Sequence, residues 1–116
     1  MKRLILILVG VTTLATTALA DEDDDIRKAK SYLREAEYQQ KLAQGYMNDA
    51  NYHLSRAESY QRDVDYYERQ EDYSRAKTYE GYVKREMESA RSKFQRAASA
   101  ADKAEMYFKW AADALY

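Results

Sequence analysis

Apolar residues recur every seven positions along two long stretches of the chain, and this spacing predicts two long α-helices. In each stretch one series is small and a second is large. The small residues are Ala29, Ala36, Ala43, Ala50, Ala57 and Val64, then Ala76, Val83, Ala90, Ala97, Ala104 and Ala111. The second series is large except at Ala101: Ile26, Leu33, Met47 and Leu54, broken only by Gln40 and Gln61, then Met87, Phe94, Ala101, Phe108 and Leu115. We expect both series to pack into the seam between the two helices.

The heptads combine into fourteen-residue units, three beginning at Ala29 and three beginning at Ala76, with EDYSR between them at residues 71–75. This arrangement predicts an all-α fold, a long antiparallel helical hairpin built as an alanine-rich coiled coil. We expect arms near residues 26–69 and 75–115 and a turn near 70–75. Two alternatives stay open: a skip within one very long helix, and three or four shorter helices broken at Gly45 or Gly81.

Such a hairpin buries few large side chains, so a second copy would strengthen it by completing a four-helix bundle. Charges flank the predicted seam near the turn: Glu58 and Asp65 on the first arm, Lys77 and Lys84 on the second. An antiparallel hairpin would place these opposite charges near each other, where each exposed pair contributes about 0 to 1 kcal/mol.

Tyrosine recurs with the same fourteen-residue period at two positions of the first three units. Tyr32, Tyr46 and Tyr60 flank the alanine series, where we expect their rings to cover the edge of the seam, as should Tyr79 and Tyr107 on the second arm. A second set faces away from the seam and is not needed for folding: Tyr38, Tyr52 and Tyr66. These three, with Trp110, are the predicted interaction surface.

The first twenty residues have the pattern of a secretory signal peptide. Lys2 and Arg3 precede an apolar run, and Ala18-Leu19-Ala20 fits a signal-peptidase site, so we expect cleavage after Ala20 and a periplasmic or secreted protein with no transmembrane segment after cleavage. An acidic run follows at 21–25, where negative charge suits a helix start. The chain has no cysteine and therefore no disulfide or lipid-acceptor thiol.

Composition narrows the functional classes. A formal net charge of −1 gives no strong field for nucleic acid. The only histidine, His53, lies one turn after Asp49, and one such pair has little selectivity for a metal. Carboxylates alternate with Lys and Arg as on a solvated helical face, and we identify no catalytic residue, no metal ligand and no cofactor.

The sequence therefore predicts an exported, non-enzymatic interaction or scaffold protein. It would form a homodimer or bind an envelope partner through the tyrosine stripe. The alternatives are a periplasmic chaperone-like client binder and a small ligand- or metal-binding periplasmic protein. In architecture alone the hairpin resembles periplasmic holdase chaperones. The alanine heptads are loosely similar to periplasmic metal-binding repeat proteins, which carry histidine where this chain carries tyrosine.

Overall fold

The protein is an all-α antiparallel hairpin, as the heptad pattern predicts. A computed structural model of the chain describes residues 19–115, with side chains from Asp23 to Leu115. Helix α1 spans Leu19–Arg69 and helix α2 spans Tyr73–Asp113. The predicted signal peptide lies almost wholly outside the described residues. Helix α1 begins before the predicted arm and includes the acidic run, in which Asp23 pairs with Arg27.

The turn between the helices is three residues long and needs neither glycine nor proline. Glu71 adopts a positive φ of 57°. The amide of Asp72 donates to the Tyr67 carbonyl at 2.9 Å and that of Glu71 to the Glu68 carbonyl at 3.0 Å, which is a Schellman ending. The Asp72 carboxylate then accepts a hydrogen bond from the Arg75 amide at 3.2 Å and caps α2. The phase break in the sequence is thus a hairpin turn and not a skip within one helix.

Gly45 and Gly81 lie inside continuous helices, which rules out the alternative of shorter helices broken at these positions. Helix α1 runs through Gly45 and helix α2 runs through Gly81. A Cβ atom built at either glycine would meet no atom within 4 Å. Neither glycine is therefore required by a close approach, and tertiary packing overrides its low helix propensity.

The described chain divides into two compact units, which we treat separately. Unit 2 is Ala43–Ala98 and contains the turn; unit 1 comprises the residues up to Leu42 together with those from Ser99 onward. In unit 2, three cross-helix contacts fix the register: Tyr46 with Lys93, His53 with Glu86, and Tyr60 with Tyr79. They advance by one heptad on each helix in opposite directions, so the coiled-coil register is regular.

The centre of unit 2 is built from small residues. The register places Ala50 opposite Ala90 and Ala43 opposite Ala97, and all four are at most 9% exposed. The buried set of this unit is completed by Ala57, Val64 and Ala76. With only methyl groups between them, the two backbones can approach closely. The small series therefore forms the seam, as predicted.

The large series of unit 2 does not share that seam, and this part of the prediction is wrong. Met47, Leu54, Met87 and Phe94 are 37–55% exposed. Close approach along the alanines moves the neighbouring heptad positions to the two outer edges of the helix pair. One edge carries the large apolar residues. The opposite edge, called here the tyrosine edge, carries Tyr46, His53 and Tyr60 of α1 with Tyr79, Glu86 and Lys93 of α2, all partly buried.

Unit 1 repeats the arrangement with a better covered apolar side. Its buried alanines are Ala29, Ala36, Ala100, Ala104 and Ala111. Leu115 is buried, and Leu33 and Phe108 are half-buried. Tyr32 stacks on Tyr107 with ring centroids 6.4 Å apart. The predicted role of the first tyrosine of each unit, packing beside the alanine seam, is confirmed here and at Tyr60 and Tyr79 in unit 2.

Candidate interaction surfaces

The three tyrosines of the predicted stripe are exposed in the structure. Tyr38 lies in unit 1, and Tyr52 and Tyr66 lie in unit 2, with 51–58% of each residue accessible. The Tyr66 ring packs edge-on against Tyr67 at 5.2 Å, and the Tyr52 ring packs edge-on against His53 at 5.5 Å. The two rings of unit 2 are therefore supported by neighbours on one side and open to solvent on the other.

Arg56 connects the exposed Tyr52 to the tyrosine edge. Its guanidinium donates to the hydroxyl oxygens of Tyr52 at 3.1 Å and Tyr60 at 2.8 Å, and it lies 3.4 Å from the Glu86 carboxylate. It also sits within 6 Å of both ring centroids. The hydrogen bond to Tyr52 and these charges raise the pKa of Arg56. The Tyr52 ring is consequently held in one place, which lowers the entropy lost when it meets a partner.

The polar contact between His53 and Glu86 crosses the two helices, and sequence reasoning missed it. His53 Nδ1 lies 2.7 Å from Glu86 Oε1, with both side chains at most 25% exposed. The hydrogen bond from His53 lowers the pKa of Glu86, with the Arg56 charge acting the same way and burial opposing them. Asp49 pairs with Lys93 at 3.6 Å. The spacing of residues along one helix does not reveal these partners, because they lie on the other helix.

Four tyrosines gather on the tyrosine edge next to the turn. Tyr60, Tyr67, Tyr79 and Tyr82 lie with neighbouring ring centroids 5.2–6.1 Å apart. The neighbouring Tyr67 is the largest influence raising the pKa of Tyr79. Interlocking rings of this kind are worth about 0.5 to 1.5 kcal/mol per pair beyond their buried area. This cluster stabilises the turn end of unit 2 and leaves little free ring surface.

The opposite side of unit 2 carries the apolar edge, defined as Met47, Leu54, Met87 and Phe94. An open groove of about 440 Å³ runs beside Leu54, Met87 and Phe94, with small Ala90 and Ala98 along it. A second groove of about 300 Å³ continues from Met87 past Gly81. Large apolar side chains therefore stand around shallow depressions lined by small residues, a shape that accepts side chains from another helix.

Charges of opposite sign border the apolar edge. Helix α1 contributes Glu58 and Asp65; helix α2 contributes Lys77, Lys84 and Arg91, each series spaced by seven residues. Within unit 2 none of these five side chains has an oppositely charged partner within 4 Å, although Asp65 accepts a hydrogen bond from Gln61. The predicted pairing of Glu58 and Asp65 with the lysines inside one hairpin is therefore wrong. The apolar edge lies between the two borders, and the ion pairs that do cross unit 2 lie on the tyrosine edge.

Trp110 is the predicted contact residue of unit 1. Its indole ring packs edge-on against Tyr32 at 5.8 Å and Tyr107 at 5.4 Å, yet the residue stays 42% exposed. A shallow depression of about 380 Å³ beside it is lined by Lys28, Tyr32, Asp113 and Ala114. Trp110 therefore packs against its neighbours and still has an accessible face. It lies in unit 1, whereas Tyr52 and Tyr66 lie in unit 2.

Among the described side chains, from Asp23 to Leu115, no three His, Asp or Glu residues converge to hold a metal ion. Within the same range neither helix has a stretch apolar and long enough to cross a bilayer. No protein-family model matches the chain, and comparisons with curated proteins and with solved structures give no significant match.

Proposed function

We propose that this chain is an exported, non-enzymatic scaffold protein that binds another protein through its exposed tyrosines. The observation that carries the proposal is the half-exposed state of Tyr38, Tyr52 and Tyr66, three large rings that contribute little to the core of the hairpin. Tyrosine supplies a large apolar area and a hydroxyl group with only two rotatable side-chain bonds, and it is enriched in protein interfaces for that reason.

The surroundings of Tyr52 support a binding role over a purely solvated one. Arg56 fixes the ring from one side through a hydrogen bond and a cation–π contact, and His53 supports it from another. A solvated surface ring needs no such support. The Arg56 guanidinium also offers charge for a carboxylate on the partner, since it is itself 44% exposed.

Export is the second part of the proposal and rests on the sequence. The cationic start, apolar run and Ala18-Leu19-Ala20 pattern support secretion, and the partner would then be a periplasmic or extracellular protein. N-terminal sequencing of the secreted protein tests this part. We expect the mature chain to begin at Asp21; a chain that keeps residues 1–20 would contradict it.

A site-specific photo-crosslinker tests the binding surface directly. The reactive amino acid replaces Tyr52 in one variant and Ser92 in the matched control, because Ser92 is exposed at the equivalent heptad position of α2. After irradiation in the native envelope, we expect a discrete heavier adduct from position 52 only. Adducts of equal yield at both positions, or none at position 52, would refute the tyrosine surface as a binding site.

Light scattering distinguishes a second copy from a different partner. The wild-type chain is compared with a variant in which Tyr38, Tyr52 and Tyr66 are changed together to Ser. If the change converts a dimer into a monomer, the tyrosine stripe mediates self-association. An unchanged mass, combined with the adduct at position 52, identifies an envelope partner.

A chaperone-like client binder is the second candidate, and the exposed apolar edge is the observation that favours it. Met47, Leu54, Met87 and Phe94 offer the adaptable surface that unfolded clients contact, with two flexible methionines among them. Suppression of aggregation of a reduced, unfolding model protein tests this candidate. Equal aggregation with and without an excess of the chain would exclude it.

A further inference from the structure

The apolar edge of unit 2 lacks the cover that the tyrosine edge has. On the tyrosine edge the aromatic rings, the partly buried contact between His53 and Glu86, and Arg56 shield the alanine seam. On the apolar edge Met47, Leu54, Met87 and Phe94 remain 37–55% exposed beside an open groove of about 440 Å³. Contiguous apolar patches of this kind on soluble proteins mark contact sites.

The spacing of the edge specifies what can cover it. Its residues recur every seven positions on both helices, Met47 and Leu54 on α1 and Met87 and Phe94 on α2. A partner can match such a surface over several turns only if it is helical and has apolar residues at the same period. This chain has that surface itself, so a second copy fits the periodicity without further assumptions.

The charges that border the apolar edge also favour a second copy as the partner, and they favour one relative orientation of the two copies. A two-fold axis parallel to the helices places α1 of one copy against α2 of the other, with both turns at the same end. The acidic border of one copy, Glu58 and Asp65, then meets the basic border of the other, Lys77 and Lys84. Because of the two-fold symmetry, the same charge pairs form a second time with the roles of the two copies exchanged. A partner with its turn at the opposite end would bring α1 against α1, and the acidic border would have no basic counterpart.

We infer that the apolar edge of unit 2 binds a second copy of this chain around a two-fold axis parallel to the helices, forming a four-helix arrangement. Leu54 of one copy faces Met87 of the other, and Met47 faces Phe94. The border charges that find no partner within unit 2 of one copy are paired between copies. This inference concerns a surface different from the tyrosine stripe and leaves that stripe free to bind its partner.

The first test measures the self-association constant of the exported chain by sedimentation equilibrium. Leu54→Asp places a charge on the apolar edge; Ser59→Asp, on the exposed back of α1 in the same unit, is the matched control. We expect Leu54→Asp to weaken the dimer by roughly 100-fold, because a carboxylate would be buried without a partner, and Ser59→Asp to leave it unchanged. Helical content measured by circular dichroism verifies that both variants fold.

The second test measures the orientation with two charge reversals. Glu58→Lys alone and Lys84→Glu alone each bring like charges together at two symmetric contacts, and each should weaken its own homodimer by about tenfold. A mixture of the two variants should form a heterodimer of wild-type affinity, since both contacts are again opposite in sign. Both results concern the dissociation constant of the dimer. They are expected even if each single variant folds as stably as the wild type.

Three outcomes overturn the inference. A wild-type chain that stays monomeric up to about 300 μM has no such interface. A dimer that survives Leu54→Asp but is lost when Tyr38, Tyr52 and Tyr66 are changed together to Ser uses the tyrosine stripe, which would leave the proposed function intact and remove this inference alone. A dimer that Leu54→Asp disrupts but that the mixed charge reversals do not restore uses the edge in another orientation, which contradicts the arrangement inferred here.

Discussion

Ala50→Leu tests whether methyl contacts hold the two helices close together. Ala50 is fully buried and the register places it opposite Ala90, which is 1% exposed. Leucine adds three carbon atoms at a position surrounded by the facing helix. Alanine and leucine have nearly equal helix propensities, so the change acts on packing between the helices and hardly on the helix itself.

The magnitude follows from two opposing effects. If space were available, burying three further carbons would stabilise the fold by about 0.8 kcal/mol each. In a close-packed seam the added carbons must displace the facing backbone, and the net result of such overpacking is a loss of about 1 to 3 kcal/mol, with any gain from burial already included. We expect the second effect to dominate, so the free energy of unfolding should fall by about 1 to 3 kcal/mol, which corresponds to a melting temperature lower by roughly 5 to 15 °C.

Thermal unfolding followed by circular dichroism provides the measurement. All samples are compared at one protein concentration, because self-association raises the apparent melting temperature. Ser59→Leu is the control, since Ser59 is exposed in the same unit and the same added side chain should change stability by no more than about 0.5 kcal/mol there. A higher melting temperature for Ala50→Leu would refute the close approach. It would also refute the assignment of the edges, since helices held farther apart would draw Met47 and Leu54 into the seam.

Three further predictions follow from local geometry. Glu71→Gly should stabilise the hairpin by about 0.5 to 1 kcal/mol in urea unfolding, because Glu71 holds a φ of 57° that glycine adopts without strain; a loss of stability would mean that the Glu71 side chain matters more than its backbone. Gly45→Ala should add up to about 1 kcal/mol in the same assay, since its Cβ meets no atom within 4 Å, and destabilisation would reveal a contact at that position. Glu86 has a pKa below its ordinary 4.5 in the folded chain, so its contribution is full above about pH 4.5 and is lost as the pH falls through the folded pKa. The stability difference between wild type and Glu86→Gln should therefore shrink from about pH 6 to about pH 3, and a constant difference would show that the Glu86 carboxylate contributes nothing through its charge.

Much of the candidate interaction surface was predictable from one helix at a time. Tyr38, Tyr52 and Tyr66 lie two residues beyond an alanine of the buried series, and that position points away from the seam on any regular helix. Their exposure therefore required no knowledge of the second helix. Trp110 was identified by residue type, and its contacts with Tyr32 and Tyr107 came only from the folded pair.

Contacts between the helices were less predictable. His53 and Asp49 are one turn apart in sequence, which suggested a local pair; in the structure their partners are Glu86 and Lys93 on α2. The charge pattern alone placed Glu58 and Asp65 in intramolecular pairs. Which of these charges meet depends on which side of each helix faces the other. That side is set by the packing of both helices together and cannot be read from either helix alone.

The two long helices, the position of the turn and the face on which tyrosine is exposed are predictable from the sequence, because heptad spacing and the lack of proline act within each helix. Which of the two heptad series lies between the helices depends on how the folded helices pack against each other. Both series have the same period, so periodicity cannot distinguish them. Alanine permits the closest backbone approach, and that approach leaves room for methyl groups in the seam while moving Met47, Leu54, Met87 and Phe94 to an outer edge.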